Sequence, residues 1–312
     1  MLQVIVSGKE SLTPRVCKLT LTSSTGEPLP DWAPGAHIDV FLPGDMIRQY
    51  SLCGALDAQH YQIAVQLEEQ GKGGSRYIHE SLQCGAELTI SEPRNHFPLT
   101  EGENPCLFLA AGIGITPFIP MIEACLAGNR PFSLYYAVAN GSDNLLSDQY
   151  TLLANVHVHD KATQGVRLNI DALLKAAPAD SDIFVCGPNG FINDVLSLSA
   201  RQGIDSARLH REFFTAEPID HSNDGSFELE IASTGQIVSV AKDESMLEAL
   251  EDNGFFVPVS CEEGVCGTCI TPLLGGEADH KDVFLNDKEK AQMDRVAVCC
   301  SRAKTPRLIL DL

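Results

Sequence analysis

The hydrophobic positions of the chain change their rhythm twice. Over residues 1–102 they fall in short runs, LQVIVSG, RVCKLTLTS, HIDVFLPG, YQIAVQLEE and ELTISEP. Within CKLTLT and IAVQLE apolar and polar residues alternate, which predicts half-buried antiparallel strands. Gly26, Pro28, Pro30, Pro34 and Gly35 punctuate them as turn residues do. Short strands at this spacing predict a small antiparallel β-barrel or sandwich.

Beyond Glu101-Gly102-Glu103-Asn104 the apolar runs become continuous. CLFLAAG reads as a strand buried on both faces, followed by a glycine turn and a helix opening with Pro117. FSLYYAV, VHVHD and DIFVCGP read as further strands, and LNIDALLKAA and NGFINDVLSLSARQG as helices. Such alternation predicts a doubly wound, parallel α/β sheet. TAEPIDHSNDGS is polar and turn-rich, a linker; then FELEIASTGQIVSV reads as a hairpin, ESMLEALEDNG as a helix stopped by Gly254, and RLILDL as a closing strand. The pattern predicts three domains, 1–102, 103–215 and 226–312, with a linker over 216–225.

Composition narrows the function. With 44% hydrophobic and 21% charged residues the chain has a soluble globular profile. Its net charge of −20 argues against a nucleic-acid binder and suits docking on a partner with a positive patch. MLQVIVSGKE lacks the grammar of a signal peptide. CLFLAAGIGITPFIP is shorter than the ~20 residues of a spanning helix and is broken by Gly and Pro. A cytoplasmic protein is expected, and eleven scattered cysteines make a poor disulfide framework. His157 and His159 alternate along one strand without a further ligand pattern, so an exposed pair is expected.

The cysteines carry the strongest chemical signal. Cys261, Cys266 and Cys269 have the spacing C-x4-C-x2-C, and Cys299 follows after 29 intervening residues. That is the plant-type arrangement of four thiolates around a [2Fe–2S] cluster. Structural zinc sites instead pair their ligands in two separate knuckles. Gly264 and Gly267 let the loop wrap and aim backbone N–H groups at sulfur.

CEEGVCGTC together with CCSRA resembles the ferredoxin domain of the Rieske-oxygenase reductases, the phthalate dioxygenase reductase and vanillate demethylase reductase type. The resemblance covers essentially the whole chain. It implies an antiparallel β-barrel flavin domain, a doubly wound parallel α/β nicotinamide domain and a C-terminal α+β ferredoxin (β-grasp) domain. It also implies that Cys299, two residues before Ser-Arg, is the fourth ligand. Adjacent strand residues point to opposite faces, so Cys300 is expected to be a packed bystander.

RQYSL at Arg48–Leu52 resembles the family's flavin signature, an arginine fork for a phosphate, Tyr50 for a ring face and Ser51 for a polar edge, with Gln49 between them. GKGGSRYIHE resembles its phosphate cradle, with Gly73, Gly74 and Ser75. The strand between them resembles the one whose backbone meets the flavin ring edge, which implies Val65 and Gln66; the family carries FMN here, and a phosphate so close to the ring pocket favours FMN over FAD. SEPRNHFPL resembles the family's domain junction.

AAGIGITPF resembles the family's nicotinamide turn, with Gly112, Gly114 and Thr116; the family commonly has glycine where this chain has Ala111. CGP, Cys186, Gly187 and Pro188, resembles the segment that sets a cysteine near the nicotinamide, at a strand end where such sheets bind ligands. EFF resembles the E-x-F that closes the domain, giving Glu212 and Phe214. Ala139-Asn140-Gly141-Ser142 holds no arginine for a 2′-phosphate, so NADH is expected over NADPH. The implied function is a reductase taking electrons from NADH through FMN and the cluster to a Rieske-type terminal oxygenase. An electron-carrier subunit or a redox-sensing protein, without its own NADH chemistry, is the alternative.

Overall fold

The computed structural model describes the chain except residues 45, 57, 58, 217, 218 and 220–223, so the linker expected over 216–225 falls in part outside the described residues. Contacts divide the chain into two units, Met1–Glu212 and Phe213–Leu312.

The first unit holds two sheets. In one, β1 (Leu2–Thr13), β2 (Val16–Ser23), β3 (His37–Leu42), β4 (Met46–Ser51), β5 (His60–Gln66) and β6 (Glu87–Ile90) are all antiparallel, in the order β4-β3-β6-β1-β2-β5. The edges β4 and β5 meet just past Ser51. There Leu52 bridges Ile63, and the Cys53 N–H donates to the Gln62 carbonyl at 2.9 Å. The sheet thus closes on itself and hides its edges. Val4, Val6, Leu19, Leu21, Ile38, Val40 and Ile63 fill the interior. Each such side chain contributes about 1.5–3 kcal/mol by leaving water, so a one-residue register slip would turn the core outward. β4 lacked a readable alternation because its first five residues are all half-buried.

The second sheet is wholly parallel. It comprises β7 (Cys106–Ala111), β8 (Phe132–Val138), β9 (Val156–Asp160), β10 (Asp182–Cys186) and β11 (Leu209–Glu212), in the order β11-β10-β7-β8-β9. β7 and β10 are buried along their whole length, as expected of central strands. β11 is a polar, half-buried edge that hydrophobic patterning did not reveal. Phe97, from the segment joining the two sheets, packs edge-on to Phe118 and Phe184, each 5.8 Å between centroids. Its carbonyl lies 1.9 Å from where a Cβ on Gly35 would stand. Only glycine there lets the barrel approach this core, and its φ of +91° points the same way. His157 is exposed and stacks on Tyr135 at 4.7 Å, while the His159 Nε2 contacts the Val166 carbonyl at 2.9 Å.

The second unit has β12 (Phe227–Ile231), β13 (Ile237–Val240), β14 (Ile270–Gly275), β15 (Ala278–Asp279), β16 (Arg295–Ala297), β17 (Arg302–Ala303) and β18 (Arg307–Leu310). Its main sheet runs β13-β12-β18-β14-β16, with β12 and β18 parallel and the other pairs antiparallel. The helix Met246–Asp252 covers it through Met246, Leu247, Ala249 and Leu250. A Ser245–Glu248 capping box starts that helix, and Gly254 at φ +80° ends it. Among the described residues no helix is long and apolar enough to cross a membrane.

Candidate functional site

Three groups of the residues singled out by sequence lie at strand ends and loops. At the barrel edge, β4 faces the start of the helix Gly74–Glu80. A Cβ on Gly74 would stand 2.9 Å from both Cγ and Nε of Arg48, so the guanidinium arm lies flat on glycine backbone. Gly73 adopts φ +95°. Arg48 Nη1 donates to the Ile47 carbonyl at 2.7 Å, and the Ser75 hydroxyl accepts from the Glu68 N–H at 3.0 Å. A fixed cation above side-chain-free backbone suits a phosphate, and the residues fit that group.

The neighbouring side chains are more committed than their motif implied. The Gln49 amide donates to Asp39 Oδ1 at 2.9 Å. The Val65 carbonyl contacts His79 Nε2 at 2.9 Å, and the Gln66 amide donates to Glu68 Oε1 at 2.7 Å. Burial holds the Tyr50 phenol well above its ordinary range.

The second group gathers at the carboxyl ends of β7, β10 and β11. Gly112 has φ +55°, and the turn after β7 begins as one 3-10 stretch, Gly112–Ile115. The α-helix runs only from Phe118 to Ala127, and Pro117 is its N-cap instead of its first residue. A Cβ on Gly114 would lie 2.5 Å from the Cys186 carbonyl carbon and 2.6 Å from the Gly187 nitrogen. Gly114→Ala should therefore push β7 and β10 apart at about 1–3 kcal/mol. Its thermal midpoint and NADH-driven dye reduction should both fall while flavin content stays, as melting curves and visible spectra will report. Ala111 fits for a reciprocal reason: its methyl sits 2.9 Å from where a Gly187 Cβ would stand, so the bare backbone of Gly187 accommodates it. Thr116 is buried, and its hydroxyl donates to the Ile113 carbonyl at 3.0 Å. Pro188 caps the helix Asn189–Arg201.

Cys186 and Glu212 are register partners across β10 and β11. The Cys186 thiol is fully enclosed, and burial, then the nearby Glu212, push its pKa up. The Ser51 hydroxyl donates to Glu212 Oε2 at 3.4 Å. As a residue Glu212 keeps some surface, but its carboxyl is enclosed; burial raises its pKa to about 8 against the partial opposition of Ser51. Ser51, Cys186 and Glu212, quoted from three distant motifs, thus form one cluster. Phe214 belongs to the second unit and is 39% exposed.

In the cysteine loop Glu262, Gly264 and Gly267 take φ of +56°, +72° and +73°, which wraps the backbone. The N–H groups of Glu263 and Thr268 donate to the sulfurs of Cys261 and Cys266, each at 3.4 Å. The thiols lie in two touching pairs, Cys261 with Cys266 and Cys269 with Cys299. Among the described residues no three donors gather around a single metal ion. Two dithiol pairs with N–H groups aimed at sulfur are the donor set of a two-iron cluster, and the residues fit it. One expectation needs correction: Cys299 and Cys300 lie in a turn after β16, not in a strand, so strand alternation does not separate them. The thiol pairing distinguishes them: the Cys299 thiol meets Cys269 as well as its neighbour Cys300, whereas Cys300 Sγ lies over Gly264, 2.5 Å from where a Cβ would stand.

The sequence reading missed the polar layer beside Ser51. Asp39, 3% exposed, accepts from Arg94 Nη2 at 2.6 Å and from Gln49, and His37 lies next to it on β3. The available signal was the alternation in HIDVFL, which sets His37 and Asp39 on the face opposite Ile38 and Val40.

Comparison with known proteins agrees with this geometry. Residues 108–197 match the oxidoreductase NAD-binding domain and residues 229–304 the 2Fe-2S iron-sulfur cluster binding domain. The chain is 43% identical to a vanillate O-demethylase oxidoreductase of Pseudomonas sp. (strain HR199 / DSM 7063), covering 100% of both chains. It is 39% identical to a carnitine monooxygenase reductase subunit of Escherichia coli (strain K12), over 100% of this chain and 98% of that one. The solved structure of phthalate dioxygenase reductase, described as modular for electron transfer from pyridine nucleotides to [2Fe–2S], superposes with a TM-score of 0.72 at 32% identity. That match covers 100% of this chain and 98% of the other. The chain belongs to this family of oxygenase reductases, oxidoreductases that combine FMN, NAD and [2Fe–2S] sites.

Proposed function

We propose that the chain oxidises NADH and delivers the electrons singly to a Rieske-type terminal oxygenase in the cytoplasm, its domains bounded as 1–102, 103–215 and 226–312. The carrying observation is the contact between Ser51 of the flavin motif and Glu212 at the end of the nicotinamide sheet. It supports one reaction centre built from both sheets of the first unit. Bound FMN supplies the conversion of a two-electron hydride into single electrons, which a [2Fe–2S] cluster then carries.

The chain's own residues bind and orient. Arg48, Gly73, Gly74 and Ser75 would hold the flavin phosphate, Tyr50, Ser51, Val65 and Gln66 would line its ring, and Gln49 braces β4 through Asp39. Gly112, Gly114, Thr116, Gly187 and Pro188 shape the backbone that receives the dinucleotide. Cys186 borders the nicotinamide, Phe214 supplies the aromatic of the E-x-F motif, and Glu212 holds a proton at its carboxyl. Asp160 supports the preference for NADH. Its carboxylate lies 3.3 Å from the Cβ position of Gly141, and the Thr163 hydroxyl and backbone N–H groups hold its pKa below the ordinary range. A fixed negative charge beside that turn opposes a 2′-phosphate.

NADH-driven reduction of cytochrome c by the purified holoprotein tests the reading; an electron carrier or a redox sensor gives none. For the partner, Glu262 and Glu263 on the cluster loop are the steering charges. Glu262→Lys with Glu263→Lys should slow oxygenase reduction roughly 10-fold or more and flatten its salt dependence. Stopped-flow rates with a small dye should stay unchanged; a fall in both rates rejects the docking role.

A further inference from the structure

The outer face of the barrel carries an ordered polar layer in which the reductase reading gives His37 no part. Ile38, Val40 and Leu42 point into the barrel core, so His37 and Asp39 point out. His37 is 6% exposed, and its Nε2 is buried without a hydrogen-bond partner. Both backbone groups of His37 bond to Arg94, at 2.8 and 3.0 Å. Opposite Ser51, its register partner on β4, it therefore forms a non-hydrogen-bonded pair, the kind whose side chains approach closest, with Cβ atoms about 5 Å apart. The ring also lies 5.5 Å from that of the exposed His96. Within the first unit, exposed His96 thus neighbours buried His37, His37 is paired with Ser51, and Ser51 donates to the enclosed carboxyl of Glu212.

We propose that His37 is a positioning residue that relays protons between solvent at His96 and the Ser51–Glu212 pair. The inference rests on the reading of Glu212 as a protonated carboxyl of the reaction centre. Burial, then the charges of Arg94 and His96, hold the His37 pKa down to about 4 against the pull of Asp39, so the ring is neutral near pH 7. A neutral imidazole accepts at one nitrogen and donates from the other. In one passage a solvent proton binds one ring nitrogen, the proton on the other passes to the Ser51 oxygen, and the Ser51 hydroxyl proton passes to the Glu212 carboxylate. One proton is moved, no electron is transferred, and each donor regains its starting composition. The Arg94–Asp39 ion pair, at 2.6 Å, and the Gln49 amide on Asp39 fix the layer around the ring.

The test is infrared spectroscopy of the full-length holoprotein mixed into D2O. Glu212→Gln assigns the carbonyl band of the protonated acid, and the shift of that band reports its exchange. In His37→Gln the band should remain and its exchange should slow roughly 10-fold or more, with added imidazole restoring part of the rate in His37→Gly. His96→Gln, on the surface, should also slow exchange and keeps the test open where the buried variants fail to fold. Unchanged exchange in His37→Gln or His96→Gln overturns the relay while leaving Glu212 as the acid. A wild-type spectrum without the band overturns the reading of Glu212 itself.

Discussion

A Cys299→Ser chain should purify without the visible absorption of an iron–sulfur cluster, whereas Cys300→Ser should keep it. Each iron of such a cluster takes two thiolates, and the four motif cysteines already stand as Cys261 with Cys266 and Cys269 with Cys299. Removing the Cys299 sulfur leaves Cys269 without its partner, and a half-ligated iron is lost. Cys300 follows in the same turn, its thiol against that of Cys299 and its sulfur 4.0 Å from the Ala297 carbonyl and 3.9 Å from the Ser301 hydroxyl. A serine hydroxyl fits among those polar neighbours. Cluster binding contributes to folding, so Cys299→Ser should also lower the melting temperature of the second unit. NADH-driven reduction of a two-electron dye should survive in both variants, because neither cysteine belongs to the first unit. Absorption lost in Cys300→Ser and kept in Cys299→Ser would reverse the assignment.

Much of the fold was legible where one physical requirement dominates the residue choice. The alternation of β2 and β5, the continuous apolar run of β7 and the glycine after the helix Met246–Asp252 each answer to a single constraint. Strands serving two constraints were not legible. β4 must pair at a barrel edge and also carry Arg48, Gln49 and Ser51, and β11 is an edge strand ending in Glu212, so both read as polar chain. The cluster loop was legible from spacing alone, yet the turn holding Cys299 and Cys300 was mistaken for strand because VAVCC continues an apolar run. The motifs gave Ser51, Cys186 and Glu212 separately. Their convergence depends on a parallel pairing and a barrel edge brought together in space, which no local pattern encodes.

Glu212→Gln should abolish one titration in both stability and rate. The Glu212 pKa stands at about 8 in the folded chain against an ordinary 4.5, because burial outweighs the hydrogen bond from Ser51. Between those values the folded chain holds a proton that the unfolded chain has released. Folding takes up that proton, so stability falls as pH rises, by up to ~1.4 kcal/mol per pH unit. The contribution is intact below the unfolded value and is lost as pH rises through about 8. Glutamine is neutral throughout, so urea midpoints for Glu212→Gln should vary less over this range. The rate carries the same signature. On the proposed reading an arriving hydride brings its electron pair, which a negative charge enclosed beside Ser51 and Cys186 would oppose, so activity should follow the neutral carboxyl. NADH-driven dye reduction should therefore decline above about pH 8 in the natural chain and lose that limb in Glu212→Gln. Ser51→Ala provides the opposite displacement. Without the hydroxyl that stabilises the carboxylate, the pKa should climb further and the falling limb should move to higher pH. A limb that stays in place in both variants would assign the titration to another group.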